Sequence, residues 1–429
     1  MLITSESPTQ NPTLDPKTLT CDIAIVGGNL VGATLACALK QSGLKIVIIE
    51  SQPKTVATSQ KRAYALTLLS SRIFQGIGVW SKILPQVCTF RQIRLSDGTD
   101  PRVVHFYPTD LGLEDLGYVG EHGVILSALQ EFLADCDHIQ WLCPATVTHV
   151  DYQSKQAVIT TEVAGVTNPM SIQTQLVVAA DGAKSPLRTT AGINTRGWKY
   201  WQSCITTTFK AEKHNNIAFE RFWSSGPMGL LPLPNQRYQV VLTAPHAQAR
   251  AWQAISQKDF EALLEERTEG LLGRIQVDGE RFVFPVQLMQ SDHYTRHRLA
   301  LVGDAAHCCH PVGGQGLNMG IRDIAALAEV LQKAHQQGED IGEIEVLQRY
   351  QQWRQGENLA ILGFTDFLDR VFSTQFLPVV IVRRWGLWVM ERVPGMKVLA
   401  LKLMTGLLGR TPELGREGER GGAGAGERI

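Results

Sequence analysis

Three short apolar runs along the chain each end abruptly at a glycine or an acidic residue. The runs cover residues 22–26, 176–180 and 299–302, and they are followed by Gly27, Asp181 and Gly303-Asp304. A continuous apolar run of this length predicts a strand that is buried on both faces, as strands of parallel sheets are. Ligands of open parallel sheets bind outside the carboxyl ends of the strands. The three ends are therefore expected to meet at one ligand-binding crevice.

The first run opens a strand–helix–strand unit with a glycine-rich turn, and Glu50 closes its second strand. The spacing from the last glycine to Glu50 is close to that of a dinucleotide fingerprint. In such a fingerprint the first glycine forms the tight turn, the last lets helix and strand pack closely, and the acid accepts hydrogen bonds from ribose hydroxyls. The predicted cofactor-binding residues of this unit are Gly27, Asn29, Val31, Gly32 and Glu50.

Asn29 departs from the fingerprint, because it stands where the middle glycine normally lets the backbone approach the pyrophosphate. Asn adopts left-handed backbone angles more readily than most residues, so the turn is expected to survive. The added side chain is expected to crowd the phosphate. We therefore expect a change in affinity for the dinucleotide rather than in its identity.

The third run leads into a second glycine-rich loop and then into a helix. The loop contains Gly313, Gly314, Gln315 and Gly316, and apolar residues then recur at helical spacing at Leu317, Ile321, Ile324, Ala328 and Leu331. Glycines present bare N–H groups to a ligand, and a helix N-terminus favours negative charge. This arrangement predicts a site for a partly anionic ligand. The alternative is a glycine-rich turn that only joins two elements; it does not explain why strand, acid, loop and helix start follow one another.

This stretch also resembles a known family. The segments GDAAH at 303–307 and HPVGGQGLNMGIRD at 310–323 resemble the second FAD motif of the class A flavoprotein monooxygenases, in particular the ubiquinone-biosynthesis hydroxylases of polyprenylated phenols. The resemblance implies that Asp304 binds the ribitol or ribose side of FAD and that residues 314–318 face the pyrimidine end of the flavin. It marks Pro311, Gly314 and Gln315 as catalytic, and Gly303, Asp304, Gly314, Gly316, Leu317 and Asn318 as cofactor-binding.

Three further segments are similar to parts of the same family. Arg62 stands where the family has an arginine that reaches toward the flavin; the alternative is a solvated arginine before a helix. His122 lies in a segment that resembles the helix entry beneath the FAD pyrophosphate, where relatives usually carry Asn; the alternative is a surface histidine. The segment after the second apolar run is similar to the family's DG motif between FAD and nicotinamide, which implies that Asp181 and Gly182 bind the cofactor.

The resemblance and the patterning together predict an α/β fold. We expect an FAD-binding, Rossmann-like doubly wound domain, an inserted and mostly antiparallel β substrate domain similar to that of p-hydroxybenzoate hydroxylase, and C-terminal helices. Aromatic residues between polar ones indicate the inserted domain, where they serve a core as readily as a pocket. The predicted organisation is a flexible tail at 1–20, an FAD-binding domain at 21–75, 105–189 and 285–365, a substrate domain at 76–104 and 190–284, amphipathic helices at 366–410 and a disordered tail at 411–429.

Residues 371–410 combine apolar and basic positions, and Pro394 is expected to divide them into two helices. The basic residues are Arg383, Arg384, Arg392, Lys397, Lys402 and Arg410, and the apolar stripe contains Val382, Trp385, Val389, Val393, Met396, Leu399, Leu403 and Leu407. This pattern is typical of helices that lie on an anionic membrane surface. The alternative is that the stripe packs on the protein's own core.

Composition narrows the classes of protein to which this chain can belong. Lys+Arg 41 against Asp+Glu 41 gives no basic surplus, which disfavours a nucleic-acid partner. No apolar segment reaches the roughly 20 residues of a membrane span, and the first twenty residues lack the apolar region of a signal peptide. Eight scattered cysteines suit reduced thiols in the cytoplasm. We predict no metal site at Cys308-Cys309, because adjacent cysteines cannot easily share one tetrahedral ion.

One dinucleotide fingerprint predicts a resident FAD, with NAD(P)H as a transient co-substrate. The resemblance implies an O2-using monooxygenase that hydroxylates a polyprenylated phenol in quinone biosynthesis, in the cytoplasm and peripheral to a membrane, with other quinone-biosynthesis enzymes as partners. Two alternatives stay open. One is an FAD-dependent reductase of an isoprenoid chain, which oxygen incorporation would distinguish, and the other is a catalytically silent flavin-fold scaffold at a membrane, which would bind no FAD.

Overall fold

The computed structural model describes residues 18–98, 100 and 102–425. The strands are β1 (Thr18–Val26), β2 (Ile46–Ile49), β3 (Ala63–Thr67), β4 (Cys88–Phe90), β5 (Gln92–Asp97), β6 (Val103–Phe106), β7 (Gly117–Glu121), β8 (Ile139–Leu142), β9 (Ala145–Tyr152), β10 (Ala157–Val163), β11 (Met170–Ala179), β12 (Thr195–Ala211), β13 (Ile217–Trp223), β14 (Gly226–Leu233), β15 (Arg237–Pro245), β16 (Ile275–Val277), β17 (Phe282–Ser291), β18 (Thr295–Arg296), β19 (Leu299–Leu301) and β20 (His307–Cys308).

The helices are α1 (Leu30–Ala38), α2 (Lys54–Thr58), α3 (Leu68–Ile77), α4 (Trp80–Ile83), α5 (His122–Phe132), α6 (Pro186–Thr190), α7 (His246–Ala254), α8 (Gln257–Arg267), α9 (Gln315–Gln336), α10 (Ile344–Ser373), α11 (Leu377–Arg392), α12 (Pro394–Met404) and α13 (Glu413–Ala425). Short 3-10 turns occur at Leu84–Gln86, Pro108–Leu111, Gly303–Ala305 and Val312–Gly314. No helix in the described part of the chain has both the length and the apolar character needed to cross a bilayer.

The first sheet has the order β18-β19-β11-β1-β2-β8, with β10 and β9 added beside β11. Strands β19, β11, β1, β2 and β8 run parallel. Ile23, Ala24 and Ile25 are fully buried, and because successive side chains of a strand point to opposite faces, the strand is covered on both. Helices α1 and α9 pack against each other beside this sheet. The predicted doubly wound α/β domain is confirmed.

The second sheet has the order β20-β17-β12-β15-β14-β13-β5-β6 and is antiparallel except for the β13–β5 pair. Side chains along β13 alternate between two cores. Phe219 packs with residues of α7 and α8, whereas Ala218 and Phe222 pack with Phe372 of α10 and Leu401 of α12. The sheet therefore separates a helical layer of its own from the C-terminal helices. Strands β3, β7 and β4 form a small third sheet.

Several predicted domain boundaries need correction. Strands β6 and β17 extend beyond the predicted ends at 104 and 284, because strand pairing continues across the change in composition that suggested those ends. Trp80 and Ile83 pack in the core of the first sheet, although 76–104 was assigned to the substrate domain. Strand β1 begins at Thr18, opposite Ser171, so the predicted tail at 1–20 is shorter; residues 1–17 lie outside the described residues.

The predicted disordered tail at 411–429 is wrong for most of its length, because α13 packs against α3. Glycines allow this close approach. A Cβ at Gly418 would lie 1.9 Å from the carbonyl oxygen of Arg72, and one at Gly76 would lie 2.1 Å from that of Leu414. The composition that suggests disorder here serves helix packing instead. Residues 426–429 lie outside the described residues.

Candidate active site

The three strand ends meet at one edge of the first sheet, as predicted. Val26 is in register with Ala179, and Ala179 with Leu301. The residues that follow these positions therefore emerge side by side at the carboxyl ends of parallel strands. This edge is where open α/β sheets bind ligands.

The glycines of the turn after β1 stand where the backbone leaves no room for a side chain. Gly27 has φ +107°, and a Cβ there would lie 2.3 Å from the carbonyl oxygen of Ala180. A Cβ at Gly32 would lie 1.9 Å from the carbonyl oxygen of Gly27, so helix and strand touch through their backbones. The Gly28 N–H donates to Glu50 Oε2 at 2.7 Å, which ties the acid to the turn. These contacts agree with the roles expected for Gly27 and Gly32.

Asn29 does not adopt the left-handed conformation that was expected. Its backbone is extended, with φ −77° and ψ −170°, and it is the N-cap of α1. The Asn29 Oδ1 accepts a hydrogen bond from the Leu30 N–H at 2.8 Å. The turn tolerates Asn because this position needs no positive φ and because Asn is a favourable N-cap. Val31, in the first turn of the helix, lies so close to Gly303 and Gly320 that a Cβ at either glycine would approach it to 3.2 and 3.0 Å, which is tighter than ordinary packing.

Arg62, His122 and Asp304 lie close together in the crevice, since the charge of Arg62 acts on both of the other side chains. Asp304 is accessible to solvent but is surrounded by protein, and burial raises the pKa of its carboxyl although His307 and Arg62 act in the opposite direction. Arg62 is exposed, and its guanidinium lies 5.2 Å from the ring centre of Phe284. This arginine is therefore available to a ligand in the crevice.

His122 is buried, so the alternative of a surface histidine is wrong. Its side chain is 2% exposed, and neither ring nitrogen has a hydrogen-bond partner among the described residues. Desolvation and the charge of Arg62 lower the pKa of His122 to about 4. A buried imidazole with two unused nitrogens is costly unless a ligand completes its hydrogen bonds.

Asp181 and Gly182 follow β11 at the same edge. One carboxylate oxygen of Asp181 accepts from the Leu187 N–H at 3.3 Å, and the other has no partner among the described residues. Burial raises the pKa of this carboxyl. Arg188 is buried and donates to the carbonyl oxygens of Ala183 and Ala305, both at 2.9 Å. Arg188 therefore joins the Asp181-Gly182 segment to the turn that carries Asp304.

The N-terminus of α9 faces the crevice through backbone groups. Gly313 and Gly314 have positive φ, and no side chain among the described residues caps the helix. The first-turn N–H groups of Gln315, Gly316 and Leu317 are thus available to an anionic ligand. A Cβ at Gly316 would meet only the Cys309 sulfur, at 3.8 Å, so sterics do not require glycine there.

The side chains of Gln315 and Asn318 are used by the protein itself. Gln315 Nε2 donates to the carbonyl oxygens of Gly313 and Met404, both at 3.1 Å. Asn318 Nδ2 donates to the carbonyl oxygens of Ala65 and Gly314, both at 2.8 Å. These contacts hold the loop in place. Any contact of either residue with a ligand would therefore be made through its backbone.

A buried network behind the loop was not assigned a role from the sequence. Asp323 Oδ2 contacts His307 Nε2 at 2.6 Å and accepts from the Gly303 N–H at 3.2 Å, and Asp323 Oδ1 accepts from Arg354 Nε and Asn358 Nδ2, each at 2.9 Å. Burial acts to raise the pKa of Asp323, but these contacts outweigh it and lower the pKa. The network fixes the turn that presents Asp304. The sequence feature that could have indicated this network is the Arg322-Asp323 pair at the end of the FAD-like motif.

A mainly apolar cavity of about 90 Å³ lies between this loop and the second sheet. Its lining residues are Ala65, Phe90, Ile93, Ala218, Phe219, Glu220, Pro227, Gly229, Leu231, Val241, Thr243, Pro311, Val312, Gly313, Gly314 and Met404. An apolar lining with few polar groups is typical of pockets for small organic ligands. Pro311 and Gly314, which were expected to be catalytic, line this cavity, whereas Gln315 does not.

Comparison with known proteins identifies the family. Residues 20–356 match the family described as FAD binding domain. A Synechocystis sp. protein named "Uncharacterized protein slr1300" is 50% identical over 394 residues, covering 92% of this chain and 95% of that protein. Ubiquinone hydroxylase UbiL of Rhodospirillum rubrum is 35% identical over 398 residues, covering 91% of each. The crystal structure of p-nitrophenol 4-monooxygenase PnpA from Pseudomonas putida DLL-E4 has a TM-score of 0.76 at 19% identity, covering 92% of this chain and 99% of that one.

The chain belongs to the class A FAD-dependent monooxygenases, within the ubiquinone-biosynthesis hydroxylase family. Monooxygenases of this class use FAD with NAD(P)H. The crevice of this monooxygenase fits FAD by its own chemistry. Among the described residues it contains glycines without space for Cβ atoms, a helix N-terminus with no side-chain cap, and polar atoms of His122 and Asp181 without protein partners. The glycine turn and the helix N-terminus suit the phosphates of a dinucleotide, and the unpartnered polar atoms suit its hydrogen-bonding groups.

Proposed function

We propose that this monooxygenase uses NAD(P)H and O2 to hydroxylate the aromatic ring of a polyprenylated phenol or related quinone precursor in quinone biosynthesis. The observation that carries the proposal is the apolar cavity that lies directly against Pro311, Gly313 and Gly314. An aromatic ring in this cavity would lie beside the loop expected to face the flavin. The name of the relative UbiL, a ubiquinone hydroxylase, supports the substrate class.

The polar groups of the crevice would hold the cofactor. We assign the turn from Gly27 to Gly32 and Glu50 to the adenosine and pyrophosphate part of FAD. Arg62 and Asp304 are assigned to its sugar and flavin parts, and His122 to the region of its pyrophosphate. FAD held there, with NAD(P)H as its reductant, would supply the chemistry that activates O2 for transfer to the ring. The protein's own contribution is to place the ring, exclude water through the apolar lining, and present first-turn N–H groups of α9 to developing negative charge.

Access to an insoluble substrate is proposed to occur at a membrane surface. Helices α11 and α12 separate at Pro394, as predicted, and both leave large apolar side chains exposed. We define the C-terminal apolar face as Phe376, Leu377, Ile381, Val382, Trp385, Trp388, Val393, Met396 and Leu399. Val382 is 66% exposed and Trp385 is 63% exposed, so the alternative that the stripe covers the protein core is not supported at these positions. An exposed apolar surface of this kind fits contact with lipid.

The basic residues contribute differently from what the sequence suggested. Arg383 is buried, donates to Asp97 Oδ2 at 2.8 Å and also donates to three backbone carbonyls. Arg384 lies 3.1 Å from Asp100 Oδ2. Both arginines therefore anchor α11 to the second sheet instead of meeting anionic lipid. Arg392 and Lys402 are exposed and are the charges that we assign to a lipid surface.

The proposed reaction is tested with a panel of prenylated phenols, NADH or NADPH, and isotopically labelled O2. We expect one labelled oxygen atom in the product, and oxygen uptake that depends on the phenol. Product formation without O2, with loss of an isoprenoid double bond, would favour the reductase alternative. A purified protein that binds no FAD would favour the scaffold alternative.

A further inference from the structure

The cavity contains one ionisable residue among the described residues that line it, Glu220. Strand β13 turns Glu220 toward the same side as Ala218 and Phe222, away from the core that contains Phe219. The Glu220 carboxyl lies between two glycines of the cavity wall. It accepts a hydrogen bond from the Gly313 backbone, and a Cβ placed on Gly229 would lie 3.5 Å from Glu220 Oε2.

Among the described residues, no cationic side chain pairs with the carboxyl of Glu220 to explain its burial. Arg221 is the next residue and belongs to the opposite face, where it pairs with Glu269 at 2.8 Å. Arg383 and Arg384 of α11 lie against Asp97, which ends the neighbouring strand β5. Desolvation raises the pKa of Glu220 to about 8, and the Gly313 hydrogen bond offsets only part of this effect.

A carboxyl that lacks an ion pair inside an apolar cavity is unfavourable for folding, and such groups concentrate at functional sites. Glu220 is also partly accessible, and the space it borders is the cavity. The position beside Gly313 places the carboxyl next to the loop that is expected to face the flavin. These observations indicate a ligand with one polar group among apolar ones.

We propose that Glu220 binds the ring hydroxyl of the substrate and so orients the ring against the Gly313-Gly314 loop. This inference rests on the proposed function, because it takes a prenylated phenol as the ligand. The phenol O–H donates to a carboxyl oxygen of Glu220, while the apolar lining accepts the ring and its alkyl substituents. A fixed hydroxyl selects which ring carbon lies nearest the loop.

The test compares the binding of a short-chain prenylphenol and its methyl ether to the full-length, FAD-loaded protein, read from the visible absorption of the flavin. The ether lacks the donor hydrogen. We expect the wild type to prefer the phenol by about 10- to 100-fold, Glu220→Gln to keep part of this preference, and Glu220→Leu to lose it. The Leu variant should also yield product hydroxylated at more than one ring carbon.

Thr243→Val is the matched control in the same cavity. The Thr243 hydroxyl already donates to the carbonyl oxygen of Pro227 at 2.8 Å, so its loss should leave the phenol preference intact. The thermal midpoint of Glu220→Leu should be unchanged or higher, since an unpaired buried carboxyl is removed. A wild type that hydroxylates the phenol, with the same preference in all variants, would overturn the role of Glu220 alone. A wild type that binds neither compound would overturn the proposed function as well.

Discussion

The variant Asp304→Ala tests whether this part of the motif serves FAD binding or folding. Among the described residues no donor reaches the Asp304 carboxylate, and burial raises the pKa of this group, so its removal should leave the apoprotein as stable as the wild type or more stable. If the carboxylate binds sugar hydroxyls of FAD, the variant loses charge-assisted hydrogen bonds worth about 1.5–3 kcal/mol each. That loss corresponds to roughly 10- to 150-fold weaker FAD binding per bond.

The assay is a fluorescence titration of apoprotein with FAD, paired with thermal unfolding of the apoprotein. Asp323→Ala is the contrasting variant, because Asp323 is fully buried and contacts His307, Arg354 and Asn358. Breaking a buried charged network costs about 3–5 kcal/mol, a large part of a typical domain's stability. FAD affinity that is unchanged in Asp304→Ala would refute the assigned role.

Three further predictions follow from the site and its surroundings. Asn29→Gly should lower the free energy of unfolding by only a few tenths of a kcal/mol and bind FAD at least as tightly; weaker binding in titration would mean that the Asn29 amide contacts FAD. His122 should contribute up to about 3 kcal/mol to the stability that the apoprotein loses between pH 6.5 and pH 4, because unfolded His122 binds a proton that the folded state, with its lowered pKa, does not; denaturant unfolding of His122→Asn should show a smaller loss. The double variant Val382→Ser, Trp385→Ser should bind anionic liposomes at least roughly tenfold more weakly in a sedimentation assay. The control Trp201→Ser, which changes an exposed tryptophan outside the C-terminal apolar face, should bind as the wild type does. Equal sedimentation of the wild type and both variants would contradict lipid contact through this face.

The first sheet and its glycine turns were predictable, because their causes are local. A continuous apolar run specifies a buried parallel strand, and the turn after β1 admits no Cβ at Gly27 or Gly32. The substrate domain was predictable in kind but not in its boundaries. Strands β6 and β17 continue by pairing with partners that the local sequence does not reveal.

Long-range contacts account for the features that the sequence did not reveal. Arg383 is buried against Asp97, 286 positions away, and a stripe of basic and apolar residues gives no sign of that partner. Helix α13 forms on a glycine- and charge-rich segment because α3 offers a surface that only small residues can approach. Glu220 lies in the segment of aromatic residues between polar ones, and only the folded structure places its carboxyl in a cavity without a cationic partner among the described residues.

The cavity and the C-terminal apolar face share helix α12, which bears on how the proposed prenylated phenol would reach the site. Met404 at the end of this helix lines the cavity, while Leu399, five positions earlier, is 58% exposed. A rise of 1.5 Å per residue separates the two positions by only about 8 Å along the helix axis. A prenyl chain held in lipid against Leu399 would thus need to travel little more than one helical turn to leave its ring beside Met404. Arg383 supports this arrangement, because its contacts with Asp97 fix α11 to the sheet that contains Glu220.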